Sequence, residues 1–364
     1  MGKLNKIQIE NFKSIRKLEL RLNDLNVFIG ANGVGKSNFI GIFKFLNKVI
    51  NKQLQLYTGE SGGADSILYF GRKTSERLSI KLSFADEVNG YECILVPTAE
   101  DRFVFQEETT WFHDKNNYTS PYREPLGTGH AESNLLQSPK AGKGVPKYVA
   151  DHLLSWKLYH FHDTSDSARV KQTGEISDNK MLHTDAGNLA SFLYRLQNQY
   201  PQHFKNIEQT VKMVAPFFEA FQLEPSSLNP NKIQLEWKEK GGDKYFNASA
   251  LSDGTLRFMC LVTLLLQPKL PSIVLMDEPE LGLHPYAISL LADLLRSAAK
   301  KCQVMVATQS VTLVNQFEPS NICVVDRADK QSVFKHLADE EMKDWLDEYG
   351  VGDLWEKNVF GGRP

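Results

Sequence analysis

The chain has 364 residues, 41% of them hydrophobic, and a net charge of −2. That is enough apolar material for a sizeable core, which argues against global disorder. The near-neutral total excludes a chain that is basic throughout, although a local basic face can hide within it.

The four cysteines, Cys93, Cys260, Cys302 and Cys323, form no CxxC pair, and the last three sit in apolar runs. Such usage fits buried thiols in a reducing compartment. The N-terminus carries no apolar stretch of signal-peptide length. The apolar runs at 261–266 and 273–276 are far too short to cross a bilayer. A soluble, cytoplasmic protein with no membrane partner is the expectation.

In chain order, residues 6–9 and 18–22 alternate apolar with polar, as half-buried strands do. Residues 25–29 form a short apolar run that stops at Gly30, and from Phe39 onward Ile40, Phe43, Leu46, Val49 and Ile50 recur at helical spacing. Residues 78–84 and 91–96 read as a strand pair about a turn at 87–90, with 103–105 as a third strand. Residues 118–147, rich in Ser, Pro, Gly and Lys, read as a mobile loop. Segments 186–196 and 204–221 read as helices, and 233–237 as a strand. The runs at 273–276, 304–307 and 322–325 are rich in β-branched residues, and helical stretches at 255–266 and 286–300 alternate with them. That alternation predicts a parallel sheet covered by helices.

Between the strand at 25–29 and the following helix stands Gly-Ala-Asn-Gly-Val-Gly-Lys-Ser at 30–37, a full GxxxxGK[ST] match. Gly30, Gly33 and Gly35 allow a tight turn whose N–H groups face a phosphate. The helix presents its positive end to the same anion. Lys36 is placed for the β- and γ-phosphates and the Ser37 hydroxyl for Mg²⁺. A chance glycine-rich turn would not come with the strand–loop–helix order.

The apolar strand ending at Met276 runs into Asp277-Glu278. Adjacent side chains at a strand end diverge, so Asp277 would hold Mg²⁺ while Glu278 polarises the attacking water. A capping acid before the turn at Pro279 is the bland alternative, and the upstream P-loop weighs against it. Leu251-Ser252-Asp253-Gly254-Thr255 opens an apolar helix, either as an ordinary N-cap or as an anion site. Thr308-Gln309-Ser310 follows the strand at 304–307, which places polar groups near the γ-phosphate.

Taken in this order, the motifs resemble the ABC-type ATPase heads of the SMC, RecF and related DNA-repair proteins. Ile9-Glu10-Asn11-Phe12-Lys13-Ser14-Ile15 is similar to the family's N-terminal strand signature, and residues 30–38 to its Walker A. Residues 251–255 resemble the signature motif, and 274–278 resemble Walker B. Pro279-Glu280-Leu281-Gly282-Leu283-His284-Pro285 resembles the D-loop region of RecF-like and overcoming-lysogenization proteins. Small stand-alone RecF-like ATPases are the nearest likeness, with a short tail like Leu354-Trp355 and Gly361-Gly362.

The resemblance implies an α/β P-loop NTPase: an ABC-ATPase-like head with a mostly parallel sheet, a β-rich N-terminal subdomain and a helical insertion. Residues 1–50 and 245–330 would form the nucleotide-binding core, 75–110 the β subdomain, 111–244 the loop and helical insertion, and 331–364 the tail. It implies ATP and Mg²⁺ as cofactors. Asn32, Gly33, Val34, Gly35, Lys36, Ser37 and Asn38 would bind nucleotide, Ser37 and Asp277 would bind the metal, and Glu278 and Gln309 would act in hydrolysis. Ser252 and Gly254 would close the site from a second copy, giving an ATP-dependent homodimer.

Two positions depart from the pattern: Asp253 stands where many members have Gly, and Gln309 where many have His. Gln orients a water but carries no proton, so turnover is expected to be slow. The Q-loop glutamine has no clear place, with Gln106 and Gln172 as candidates.

With 216 positions between Lys36 and Ser252 and no heptads, long SMC-type arms are not expected. With 54 residues after Ser310, the nuclease domain of the overcoming-lysogenization family is not expected. DNA, or a partner effector or nuclease protein, are the candidate partners. DNA repair or genome maintenance is the first reading, and a regulatory ATPase controlling an effector in phage defence the alternative. A scaffold that binds nucleotide without turnover is a third.

His160, His162, His152 and His183 admit a metal site, but their aromatic and apolar neighbours favour strand packing. Lys13, Arg16, Lys17, Lys140, Lys143 and Lys147 admit phosphate contacts, with a solvated surface as the plainer reading. The aromatic stretch 192–200 reads as core rather than a stacking platform.

Overall fold

The computed structural model describes residues 2–137, 143–338, 345 and 348–362. Its centre is a six-stranded sheet in the order Gln331–His336, Ile322–Ala328, Leu25–Ile29, Gln303–Ala307, Ile273–Asp277 and Lys157–Tyr159. All neighbours are parallel except the first pair. All five residues of Leu25–Ile29 are buried, as a strand covered on both faces requires. Its side chains alternate between two cores: Val27 and Ile29 enter one and Phe28 the other.

The first core is closed by the helices Asp253–Leu266 and Pro285–Ala299. The second is filled by the helix Lys36–Ile50, whose Phe39 ring lies 4.7 Å from Phe28 and whose Phe45 ring lies 5.6 Å from Phe12. Phe12 belongs to a second, wholly antiparallel six-stranded sheet. Its order is Ile15–Arg21, Leu4–Phe12, Leu78–Phe84, Asn89–Pro97, Phe103–Phe112 and Tyr122–Gly127. The P-loop helix is therefore clamped between two sheets. All four cysteines are buried and free. No helix among the described residues is long and apolar enough to cross a membrane.

Several expected elements shift. The segment 118–147, read as a loop, contains the strand Tyr122–Gly127 and the start of the helix Gly144–Ser155. Its strand buries none of its residues fully, shows no apolar alternation and is held by its ladder to Phe103–Phe112. The single helix expected at 204–221 is the helix Pro201–Val214 followed by the strand Phe218–Gln222, with Pro216 at the break. The strand expected at 233–237 is two pieces, Lys232–Ile233 paired with Gly174–Glu175 and Glu236–Glu239 paired with Phe218–Gln222. Lys140 lies outside the described residues.

Candidate functional site

The site forms where the parallel strands end. The loop after Leu25–Ile29 turns at Gly30, with φ of 151°, and enters its helix through Gly35, with φ of 118°. Both positions forbid a side chain on two counts: a Cβ at Gly30 would lie 2.2 Å from the Val325 carbonyl, and one at Gly35 2.1 Å from Ser332 Oγ. Ser332 Oγ donates to the Val34 carbonyl and lies 2.7 Å from Ser14 Oγ, which accepts from Asn38 Nδ2 at 2.8 Å. The loop is thus pinned from below by the serine of the N-terminal signature and by the strand Gln331–His336. Nothing in the sequence had marked Ser332.

Lys36 is 6% exposed, and its ammonium donates to the carbonyls of Gly30 and Ala31. Burial pulls its pKa down, and the carboxylates of Glu278, Asp277 and Glu280 pull it back. Ser37 Oγ donates to Asp277 Oδ2 at 3.1 Å, joining two residues 240 positions apart.

Glu278 leaves the strand with φ of 47° while its N–H donates to Ala307 O at 2.8 Å. Its Oε1 accepts from Gln309 Nε2 at 2.6 Å, and the same amide donates to Asn32 Oδ1 at 2.6 Å. Gln309 therefore spans the P-loop and the acid. Behind it, Thr308 Oγ1 donates to Glu280 Oε1 and accepts from the Ser310 N–H at 2.9 Å. Glu280 is 8% exposed, its Oε2 has no partner among the described residues, and burial pushes its carboxyl up to about 6.

Ser252 and Gly254 are not brought to the P-loop. Ser252 caps its own helix, its Oγ accepting from Thr255 N at 3.3 Å. Gly254 packs on the Gly282 carbonyl, 2.4 Å from where a Cβ would stand. Arg257 of the same helix donates to the carbonyls of Leu281 and His162, each at 2.9 Å.

Neither Q-loop candidate joins the group: Gln106 is exposed on the antiparallel sheet, and Gln172 donates to Asp166 O at 2.7 Å. Of the four histidines read as strand packing, His160 and His162 stand beside Asp277, while His183 lies 3.1 Å from Asp178. His162 Nε2 donates to the Asp277 carbonyl at 2.9 Å. Desolvation lowers the pKa of the His160 imidazole while the Asp277 carboxylate opposes it. Among the described residues no three His, Cys, Asp or Glu side chains gather as a metal-binding group. Of the basic residues, Lys147 pairs with Asp151 at 2.7 Å and Lys143 precedes the same helix, whereas Lys13 is lowered by burial and by Lys44.

A parallel sheet with a P-loop, an acidic strand end beside it and a polar tripeptide after the strand between them is the arrangement of a P-loop NTPase. The chain belongs to the family described as "AAA domain, putative AbiEii toxin, Type IV TA system", whose model matches residues 25–315. It is similar to an endonuclease, GajA of Bacillus cereus (strain VD045), at 29% identity over 90 residues, which is 25% of this chain and 14% of that protein's length.

Many solved structures share the fold, including two SMC heads. One is an SMC head bound to the C-terminal winged-helix domain of ScpA, with a TM-score of 0.60 at 16% identity, covering 94% of this chain and 99% of that one. The other is the SMC head with an extended coiled coil bound to the C-terminal domain of ScpA from Pyrococcus furiosus, with a TM-score of 0.59 at 15% identity, covering 96% and 99%.

Proposed function

We propose that the protein binds Mg-ATP at residues 32–38 and hydrolyses it with Glu278, and that two copies close around the nucleotide. The observation that carries this reading is the bridge from Asn32 through Gln309 to Glu278, which ties the P-loop to the acid through one amide. The donor set fits Mg²⁺: a hydroxyl and a carboxylate already face each other at 3.1 Å, and Mg²⁺ commonly takes one or two carboxylates plus substrate phosphates.

When bound, the ion neutralises charge on the β- and γ-phosphates. Lys36 binds those phosphates once its ammonium leaves the carbonyls of Gly30 and Ala31. Glu278 accepts the proton of the attacking water, and Gln309 fixes the carboxylate's orientation without taking a proton itself. Ser252, exposed at a helix start, and the half-buried Gly254 beside it are the surfaces offered to a second copy's γ-phosphate.

The output is conformational, and DNA repair or genome maintenance is its first setting. The second reading, a regulatory ATPase that controls an effector in phage defence, draws on the family's toxin–antitoxin description and on the similarity to an endonuclease. Turnover measured with and without duplex and single-stranded DNA tests the first. Stimulation by DNA supports it, DNA-independent turnover moves the assignment to the second, and no turnover under any condition removes the hydrolytic reading.

A further inference from the structure

At the opposite end of the parallel sheet, where Lys157–Tyr159, Ile273–Asp277 and Gln303–Ala307 begin, lies a groove of about 990 Å³. Its far wall is the helix Leu189–Gln199 and the segment before it. Six cations line it, Lys3, Lys157, Lys180, Arg195, Lys269 and Lys301, and no Asp or Glu does among the described residues. Lys3 pairs with Asp24. Arg195 is braced by the carbonyls of Asn179 and Lys180, at 3.3 and 3.1 Å. The remaining four lysines have no carboxylate partner among the described residues, and Lys180, Lys269 and Lys301 are exposed.

In a chain of net charge −2, such one-signed clustering in a concavity departs from the interspersed charges of an ordinary solvated surface. The field of such a cleft concentrates anions. The wall also carries Met181 at 63% exposure and Tyr200 at 38% exposure. Tyr200 was expected in the core and is instead a ring open to the groove. His152, 2% exposed, lies in the same lining with an Nε2 that has no partner among the described residues.

We propose that this groove binds a segment of single-stranded nucleic acid, its lysines and Arg195 taking the phosphates and Tyr200 stacking a base. Cations along a channel with an exposed aromatic are the pairing that single strands require. A duplex offers its phosphates on a far wider cylinder and keeps its base faces stacked away from Tyr200. An acidic peptide would use the lysines but give the ring no planar partner. The groove shares no residue with the nucleotide site, so this inference stands whether or not the ATP reading does.

The test is fluorescence anisotropy with labelled 12-residue oligodeoxythymidylate and oligouridylate on the full chain without ATP. Three or more phosphate contacts predict a log Kd against log salt slope of about 2. The triple variant Lys180→Glu, Lys269→Glu, Lys301→Glu should bind at least tenfold more weakly. Lys73→Glu, Lys205→Glu, Lys240→Glu, which changes the charge equally at exposed sites elsewhere, should stay within about twofold. Tyr200→Ala should cost about fivefold or more, the scale of one lost stacking contact.

Thermal melts and ATP titration check that each triple variant is folded. If the groove triple variant fails to melt cooperatively, the single changes Lys269→Glu and Lys301→Glu replace it. Equal binding by both triple variants overturns the proposal, as does tighter binding of a duplex of the same length. Displacement of the oligonucleotide by a poly-glutamate peptide, with Tyr200→Ala neutral, reassigns the groove to an acidic protein segment.

Discussion

Glu278 holds a left-handed backbone, φ 47°, that a β-carbon tolerates poorly, and it does so beside a proline at the end of a buried strand. Such strain costs on the order of 1 kcal/mol and persists only where neighbours impose it. Here the Ala307 carbonyl and Gln309 impose it. Glu278→Gln keeps size and backbone but removes proton acceptance, so ATP affinity should hold while hydrolysis falls by roughly a hundredfold or more. Phosphate release and nucleotide titration on the same preparation check this, and unchanged turnover would remove Glu278 from the chemistry.

Glu280 makes a separate, pH-dependent prediction. Its carboxyl moves from 4.5 to about 6 on folding, chiefly through burial. A raised carboxyl pKa means the folded state binds more protons between these values. Its contribution is present below pH 4.5 and is lost as pH rises through 6. The shift corresponds to about 2 kcal/mol. Glu280→Gln, which keeps an acceptor for Thr308, should raise Tm above pH 6 and leave it nearly unchanged at pH 4.5; equal shifts at both would rule out ionisation as the cause.

Among the elements, the P-loop depends on more than its own sequence. Ser332, 1% exposed, links the strand Gln331–His336 to Val34 and Ser14. Ser332→Ala leaves the buried Val34 carbonyl without its donor, a loss of about 1–3 kcal/mol. ATP affinity should drop with stability, whereas Lys335→Ala on the same strand should spare affinity. Paired calorimetric titrations and melts decide it, and normal affinity in Ser332→Ala would show that the loop stands alone.

This scale also explains what the sequence disclosed. Walker A and the acidic pair are contiguous runs whose geometry is local, so eight or two adjacent letters suffice. Ser332, His160 and His162 reach the site through pairings between distant strands, such as Val274 with Lys157 and Cys323 with His336. A three-residue strand like Lys157–Tyr159 has no periodicity to read. Tyr122–Gly127 reads as loop for the same reason, since its ladder rather than its composition makes it a strand. The helix expected at 204–221 ran past Pro216, a stop signal outweighed by the apolar residues on both sides.

For the whole molecule, the proposed dimer is the feature most open to test. Glu278→Gln with ATP should sediment as a dimer, because the trapped nucleotide is held by both copies. Adding Ser252→Arg puts a bulky cation at the helix start that must receive the γ-phosphate, and should return the protein to the sedimentation of its nucleotide-free state, with ATP still bound by each copy's own P-loop but more weakly than in the dimer. Sedimentation velocity reads both, and a monomer in the first case with normal affinity would dismiss the sandwich while leaving the P-loop intact.

The contact of Gly254 with the Gly282 carbonyl, reinforced by Arg257 on Leu281 and His162, has a mechanical corollary. The helix start that would face a neighbour's nucleotide is bolted to the turn that carries the copy's own Glu278. Push on one and the other is displaced through these contacts. Two such units facing each other form a closed loop of levers, in which each nucleotide gauges the occupancy of the opposite pocket. Firing would then be a joint event of the pair, and a mixed assembly with one disabled copy would turn over at well under half the intact rate.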